Sequence, residues 1–267
     1  MEPARFDGAK WSIAPPDSGD LPRSLSVLTL NTWFKPDHRA LRLAAQLAYL
    51  KTVQPDVIAL QEVTFDLLEM LLDEDWVQAR YAMPHAPARL LGDVGYGVLL
   101  LVRTPVQGFT WRPFDSSMGR GLLSVTLAGG MELGTVHLES MRHNTGPRAE
   151  QLAAATDWLV GTAPSMLVGD FNFDDNDEDA APMGPWTDLW PVGQPHAPGW
   201  TADEVVNTMR RRPRAPQQRR IDRVLLHDRD RRWQLERIAL VGTEALAKQV
   251  WMSDHFGILT HLRQRGG

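Results

Sequence analysis

The chain has no cysteine among its 267 residues. That absence excludes disulfides, thiolate-bound metals and a cysteine nucleophile together. Any metal must then take oxygen or imidazole ligands. Long hydrophobic runs are missing too: the longest, Val98 to Val102, is far too short to cross a bilayer, and the N-terminus lacks the apolar core of a signal peptide. A soluble, unexported, cytoplasmic protein without a membrane anchor is expected, as a monomer. Basic residues are outnumbered, 28 Lys and Arg against 33 Asp and Glu, for a formal net charge of −5. This argues against whole-surface affinity for a polyanion and leaves room for a local basic groove. With 43% hydrophobic residues, a chain of this length can bury a sizeable core in one large domain.

Residues 1–24 mix prolines, glycine and scattered charges without periodicity, which suggests a flexible arm whose Trp11 docks elsewhere on the protein. Residues 25–267 are expected to form a single domain. Ser24 to Leu30 alternates as a strand does and delivers Asn31 at its end. Arg39 to Thr52 has Leu41, Ala44, Ala45 and Ala48 at helical spacing, and Pro55 stops that helix. Val57 to Leu60 is a wholly apolar run suited to a buried strand, followed by Glu62 and a helix over Phe65 to Leu72. Further strands are predicted at Tyr96–Val102, Leu122–Leu127, Glu132–Val136, Met166–Val168, Ile221–Leu226, Ile238–Val241 and Gly257–Leu262, with a helix from Pro147 to about Val160. Helices interspersed with many strands indicate a layered α/β or α+β fold.

Asn31, Glu62, His137 and Asp170 each fall at or just beyond the end of a predicted strand. Any one of them alone is an ordinary turn residue; four together suggest one shared rim. Glu62 follows a run that looks buried, where an acid needs a partner or a metal. Gly169-Asp170-Phe171-Asn172 reads either as an Asx turn or as a carboxylate that orients water beside an amide that donates to a phosphoryl oxygen. Asp222 and the pair Asp254-His255 offer one acid for a metal and one to set the histidine tautomer and raise its pKa.

The ordered blocks Leu28-Thr29-Leu30-Asn31-Thr32-Trp33, Leu60-Gln61-Glu62-Val63, Gly95-Tyr96, His137-Leu138-Glu139-Ser140, Gly169-Asp170-Phe171-Asn172, Ile221-Asp222-Arg223 and Ser253-Asp254-His255-Phe256-Gly257 resemble the endonuclease/exonuclease/phosphatase superfamily. The resemblance spans about Leu25 to Leu262. It implies a four-layer α/β sandwich, with two packed mixed β-sheets, outer helices and the active site at one end. It implies a phosphodiesterase in which Glu62 binds Mg²⁺ or Mn²⁺, with Asp254 and Asn31 as direct or water-mediated partners. Asp170 would orient or deprotonate water, Asn172 hold phosphate, Asp222 pair with His255, and His137 make a further phosphate contact. Asn31, Tyr96, Asn172 and Arg220 would bind substrate. No covalent enzyme intermediate is required.

Within that superfamily the His137-to-Ser140 block, followed by Arg142, Arg148 and Gln151, is most similar to the type-2 tyrosyl-DNA phosphodiesterases, which act on 5′-tyrosyl DNA ends. Those enzymes carry an arginine two residues after the site asparagine; Asp174 stands here. It opens an acidic stretch with Asp175, Asp177, Glu178 and Asp179, either a solvated loop or a screen against polyanions. Arg210, Arg211, Arg212, Arg214, Arg219, Arg220 and Arg223 form the opposite cluster, either a solvated loop held by those acids or a phosphate-tracking rim. Trp190, Trp200 and Trp251 would be core residues or stacking surfaces. A DNA or RNA end is the expected substrate. A small phosphodiester or lipid head group is the second reading, and a catalytically silent binding module the third.

Overall fold

The computed structural model describes residues 1–175, 177, 183–210 and 214–266. Its elements run β1 (Pro3–Phe6), β2 (Trp11–Ile13), β3 (Ser24–Asn31), α1 (Arg39–Val53), β4 (Val57–Thr64), α2 (Phe65–Asp73), α3 (Asp75–Arg80) and β5 (Met83–Pro84). Then follow β6 (Tyr96–Val102), β7 (Val106–Pro113), β8 (Gly121–Leu127), β9 (Glu132–His137), α4 (Thr145–Leu159), β10 (Ser165–Asp170), β11 (Thr187–Asp188) and α5 (Leu189–Gly193). The chain closes with β12 (Ala202–Asp203), β13 (Gln218–Arg219), β14 (Asp222–His227), β15 (Trp233–Val241) and β16 (Gly257–Gln264).

The period of two along the strands decides the layering. One sheet has the order β15-β16-β3-β4-β6 and the other β11-β14-β10-β9-β8-β7. Leu25 and Val27 of β3 and Val57 and Ala59 of β4 meet Leu123, Val125, Leu133, Met166 and Val168 of the second sheet in a shared core. The alternate residues Leu28, Leu30, Ile58 and Leu60 face outward onto Leu43, Leu47 and Leu50 of α1 and Leu67, Leu68 and Leu71 of α2. On the far side Leu122, Val136, Leu167 and Leu225 pack against Leu152, Ala155 and Leu159 of α4. Each buried leucine stabilises by about 1.5–3 kcal/mol. The outcome is the four-layer α/β sandwich that the resemblance implied.

At one end the shared core turns polar. Gln61, fully buried, donates through Nε2 to Thr29 Oγ1 at 3.1 Å and Thr135 Oγ1 at 3.0 Å, joining the two sheets.

Residues 1–24 are more ordered than their composition suggests. β1 pairs with β2 and with β5, and Trp11 stacks edge-on to Phe6 and donates through Nε1 to the Leu72 carbonyl at 3.3 Å. Two short strands carry too few apolar residues to show a period. β7 and α3 also lack a readable signal: β7 is an edge strand interrupted by Gly108, and α3 is six residues long. Among the described residues no helix is long and apolar enough to cross a membrane.

Candidate active site

Strand direction gathers the rim. β3 and β4 are parallel, as are β9 and β10, so each pair ends at the same edge. β14 runs antiparallel to β10, and its first residue, Asp222, lies opposite Asp170. β16 runs antiparallel to β3, so Asp254 and His255, just before it, enter at that same end. Residues scattered over the whole chain thereby converge.

Local backbone chemistry sets the final aim. A Cβ at Gly169, where φ is +135°, would stand 2.0 Å from the Val136 carbonyl oxygen, so only glycine lets β10 deliver Asp170 this close to β9. Glu62 (φ 57°) and Asn172 (φ 55°) have left-handed backbones, at a cost of roughly 1–3 kcal/mol each for non-glycine residues. At Glu62 this accompanies a register shift between Leu60 and Val63. Gln61 thereby serves the inter-sheet bridge while Glu62 turns into the site.

Asp170 is the hub. Its Oδ2 accepts from Asn31 Nδ2 at 3.0 Å and faces His137 Nε2 at 3.5 Å and His255 Nε2 at 3.9 Å. Its Oδ1 accepts from the Asn172 backbone N–H at 2.9 Å. Burial, and then the Asp222 charge, raise Asp170 from 3.8 to about 6, against the opposing pull of His255, Asn31 and Asn172. A carboxylate so poised can take a proton near neutral pH.

His255 Nδ1 and Asp222 Oδ2 are 2.8 Å apart. Burial would lower His255, but the charges of Asp222, Asp254 and Asp170 outweigh it and hold the ring at about 9. Thr201 supports Asp222, its Oγ1 accepting from the backbone N–H groups of Ile221 and Asp222 at 3.2 and 3.1 Å. His137 is the opposite case. Burial and the Arg120 guanidinium drive it well below 6.5. Arg120 Nη1 donates to its Nδ1 at 2.8 Å, which leaves the ring proton on Nε2, aimed at Asp170. The site thus holds one cationic and one neutral imidazole.

Glu62 and Asp254 are oxygen donors of the kind a hard cation takes. Burial, then the Asp254 charge, raise Glu62 above its ordinary value, and Asp254 Oδ1 is buried without a hydrogen-bond partner among the described residues. Two acids in a poorly hydrated place, one with an oxygen that no donor reaches, are what a divalent ion relieves. Glu62 itself is held by the Phe34 N–H at 2.9 Å and Asn31 Nδ2 at 3.2 Å. Asn31 Oδ1 accepts from the Trp33 N–H at 3.0 Å, so its nitrogen faces the carboxylates and Asn31 stands as the donor that orients Glu62 and Asp170. Asp170, Asp222 and His255 also bring three ligand atoms within 4.8 Å of one another. His255 Nδ1 is committed to Asp222 there, which suits a charged imidazole better than a ligand.

The remaining expected residues divide. Asn172 Nδ2 donates to the Leu138 carbonyl at 3.1 Å, beside Asp170. Tyr96 stacks on Phe34, centroids 4.4 Å apart, with the Arg120 guanidinium 5.6 Å from its ring. Arg220 is engaged by other acids: its guanidinium bonds Asp175 and Asp188, and its backbone N–H bonds Asp174 Oδ1 at 3.1 Å. Arg219 pairs with Asp177, Arg223 with Asp175 and Asp188, and Arg214 with Glu204. Among the described residues, Asp174, Asp175 and Asp177 of the acidic stretch thus pair with Arg219, Arg220 and Arg223 of the cluster; Glu178, Asp179, Arg211 and Arg212 fall outside the described residues. Trp190 and Trp251 are buried, with indole N–H groups bonded to backbone carbonyls.

Arg120, Arg42 and Thr201 carry no recognisable sequence signal, because each acts through a contact made across the fold. Arg210 departs from the rest of its cluster: its Nη1 is 3.0 Å from His255 Nε2 and its Nε 3.3 Å from Asp254 Oδ2.

Comparison with known proteins agrees with this geometry. Residues 28–255 match the model of the endonuclease/exonuclease/phosphatase family. A search of curated protein sequences found no match. Among solved structures, D. rerio TDP2 complexed with single strand DNA product is similar at a TM-score of 0.78 and 24% identity, covering 91% of this chain and all of that one. TDP2 from C. elegans gives 0.76 and 23%, covering 92% of this chain and 77% of that one. Sphingomyelinase C from Streptomyces griseocarneus gives 0.63 and 19%, with 90% and 99% covered. At these identities the structural likeness speaks to the fold, and the family match, spanning most of the chain, to membership. The chain belongs to the endonuclease/exonuclease/phosphatase family and has its phosphoesterase fold.

Proposed function

We propose that this protein is a Mg²⁺- or Mn²⁺-dependent phosphodiesterase that hydrolyses phosphoester bonds at DNA or RNA ends, 5′-tyrosyl adducts among them. The observation that carries the reading is the Asp170 hub: a proton-accepting carboxylate ringed by Asn31, His137 and the Asp222–His255 pair. Asp170 orients a water and accepts its proton as the water oxygen bonds to phosphorus and the bond to the leaving oxygen breaks. His255, held cationic, donates from Nε2 to the oxygens on which charge grows. Neutral His137 offers a second N–H from Nε2, and Asn172 an amide. Glu62 and Asp254 would hold the cation, which when bound supplies positive charge to the phosphoryl group. His255 donates here and forms no bond to phosphorus.

Two features support a nucleic-acid end over a long duplex. D. rerio TDP2, similar in fold, is complexed with a single strand DNA product. Meanwhile Arg214, Arg219, Arg220 and Arg223 are each paired with acids, so these four offer no unpaired charge for tracking an extended backbone. The test is a panel of 5′-tyrosyl, nicked, abasic and single-stranded oligonucleotides beside inositol phosphates and sphingomyelin, with Mg²⁺, Mn²⁺ or EDTA. Cation-dependent release from oligonucleotide ends, lost in Asp170→Asn and His255→Gln without a change in melting, is expected. Preference for sphingomyelin or inositol phosphate would move the substrate to a lipid or small ester, and no turnover in any lane would point to a silent module.

A further inference from the structure

Among the described residues, Arg210 has no partner outside the site. Its described neighbours in sequence and cluster spend their guanidinium groups on Glu204, Asp174, Asp175, Asp177 and Asp188. Arg210 instead spans Asp254 Oδ2 at 3.3 Å and His255 Nε2 at 3.0 Å. It is held there by its backbone: Asn207 Nδ2 donates to the Ser253 carbonyl at 2.8 Å, and Asn207 Oδ1 accepts from the Met209 N–H at 3.2 Å. The turn that carries Arg210 is therefore tied to the segment that carries Asp254 and His255. A guanidinium stays charged at any working pH and presents a planar fork of donors with no acceptor. Here the fork meets one carboxylate oxygen that a cation would also want and, at Nε2 of the cationic His255, a second N–H donor that can accept nothing from it. A tetrahedral oxyanion beside His255 would satisfy those donors better than either.

We propose that Arg210 is a phosphate-binding residue of this site, which occupies Asp254 while the site is empty and transfers its fork to a phosphoryl oxygen when cation and substrate arrive. The inference rests on the phosphoesterase reading above and gives that site its own guanidinium for the non-bridging oxygens. It predicts two opposed effects of one side chain. Without substrate, Arg210 competes with the cation for Asp254. With phosphate bound, it holds the anion on the side of His255.

The experiment uses the full chain and the variants Arg210→Gln and Arg210→Lys, with melting recorded for each. Calorimetry measures Mn²⁺ alone, then inorganic phosphate in the presence of Mn²⁺. Hydrolysis of bis(4-nitrophenyl) phosphate gives kcat and KM. Arg210→Gln is expected to bind Mn²⁺ alone severalfold more tightly, to lose about tenfold or more in phosphate affinity, and to lose about 100-fold in kcat/KM. Arg210→Lys, which keeps charge without the fork, should recover part of both losses. Phosphate affinity within twofold of the parent in both variants would overturn the proposal, whatever happens to Mn²⁺. If the parent turns over no phosphodiester at all, the functional reading fails separately, because the phosphate titration does not depend on turnover.

Discussion

Replacing Arg42 with methionine should loosen the fold and the cation site together. Arg42 is fully buried on α1. Its Nε donates to the Asp37 carbonyl at 2.7 Å, its Nη1 to those of Thr32 and Trp33 at 2.9 and 3.1 Å, and its Nη2 to that of Lys35 at 2.5 Å. The guanidinium also lies 4.6 Å from the centre of the Trp33 ring. Methionine keeps most of the aliphatic stem and removes the clamp. Of the four carbonyls, Thr32 retains a bond from Gln46 Nε2 at 3.0 Å, and those of exposed Lys35 and Asp37 can turn to water. The Trp33 carbonyl is left, at about 1–3 kcal/mol for a buried orphan, and the cation–π contact adds up to about 2 kcal/mol. Burial already pushes the Arg42 pKa down, so removing the charge returns part of its desolvation cost. A net loss of about 2–4 kcal/mol follows, or roughly 5–15 °C in Tm for a chain of this size. Urea unfolding with an unchanged m-value measures it. The same loop supplies the Phe34 N–H to Glu62, so Mn²⁺ affinity should fall severalfold at temperatures where the variant is folded. A stability loss below about 0.5 kcal/mol, the range of ordinary surface changes, would refute the clamp. Unchanged Mn²⁺ affinity would refute its link to the site.

Two further expectations concern pH. With Asp170 at about 6 and His255 at about 9, kcat/KM at saturating Mg²⁺ should fall below about 6, as Asp170 takes a proton, and above about 9, as His255 loses one. Asp222→Asn removes the foremost charge raising His255 and should move the alkaline limb downward; an unmoved limb would exclude His255 as its source. Burial pushes Asp175 up, but the hydrogen bonds and charges of Arg220 and Arg223 outweigh it and hold its carboxyl below 3.8. A group lowered in the folded state contributes stability that is present above its unfolded value and is lost as pH falls through the folded one. Asp175→Asn should therefore destabilise at pH 7, while the gap to the parent narrows below about pH 3.8. A gap that is constant with pH would mean that packing, rather than charge, sets the effect.

What the sequence by itself determined is the set of local periods and the chemistry of individual residues. Alternation made β3 readable nearly to the residue and an apolar run did so for β6; the bounds of α1 were legible too, but Leu41, Ala44 and Ala48 of its expected apolar stripe are exposed, and Leu43, Leu47 and Leu50 face the core. The apolar run before Glu62 marked a buried acid, and the missing cysteines restricted any metal to oxygen and nitrogen donors. Those signals are local, since each arises from a face of one helix or strand meeting the core. Tertiary structure alone decided which residues meet. Asp222 comes opposite Asp170 because β14 runs antiparallel to β10. Arg120 sets the His137 tautomer from a loop 17 positions away, as the hydrogen bond between them shows. The arginine cluster and the acidic stretch read equally well as a rim and a screen, and only the fold showed that Arg219, Arg220 and Arg223 pair with Asp174, Asp175 and Asp177 while Arg210 turns to Asp254. A charge has no direction in a sequence; it acquires one when packing chooses its partner.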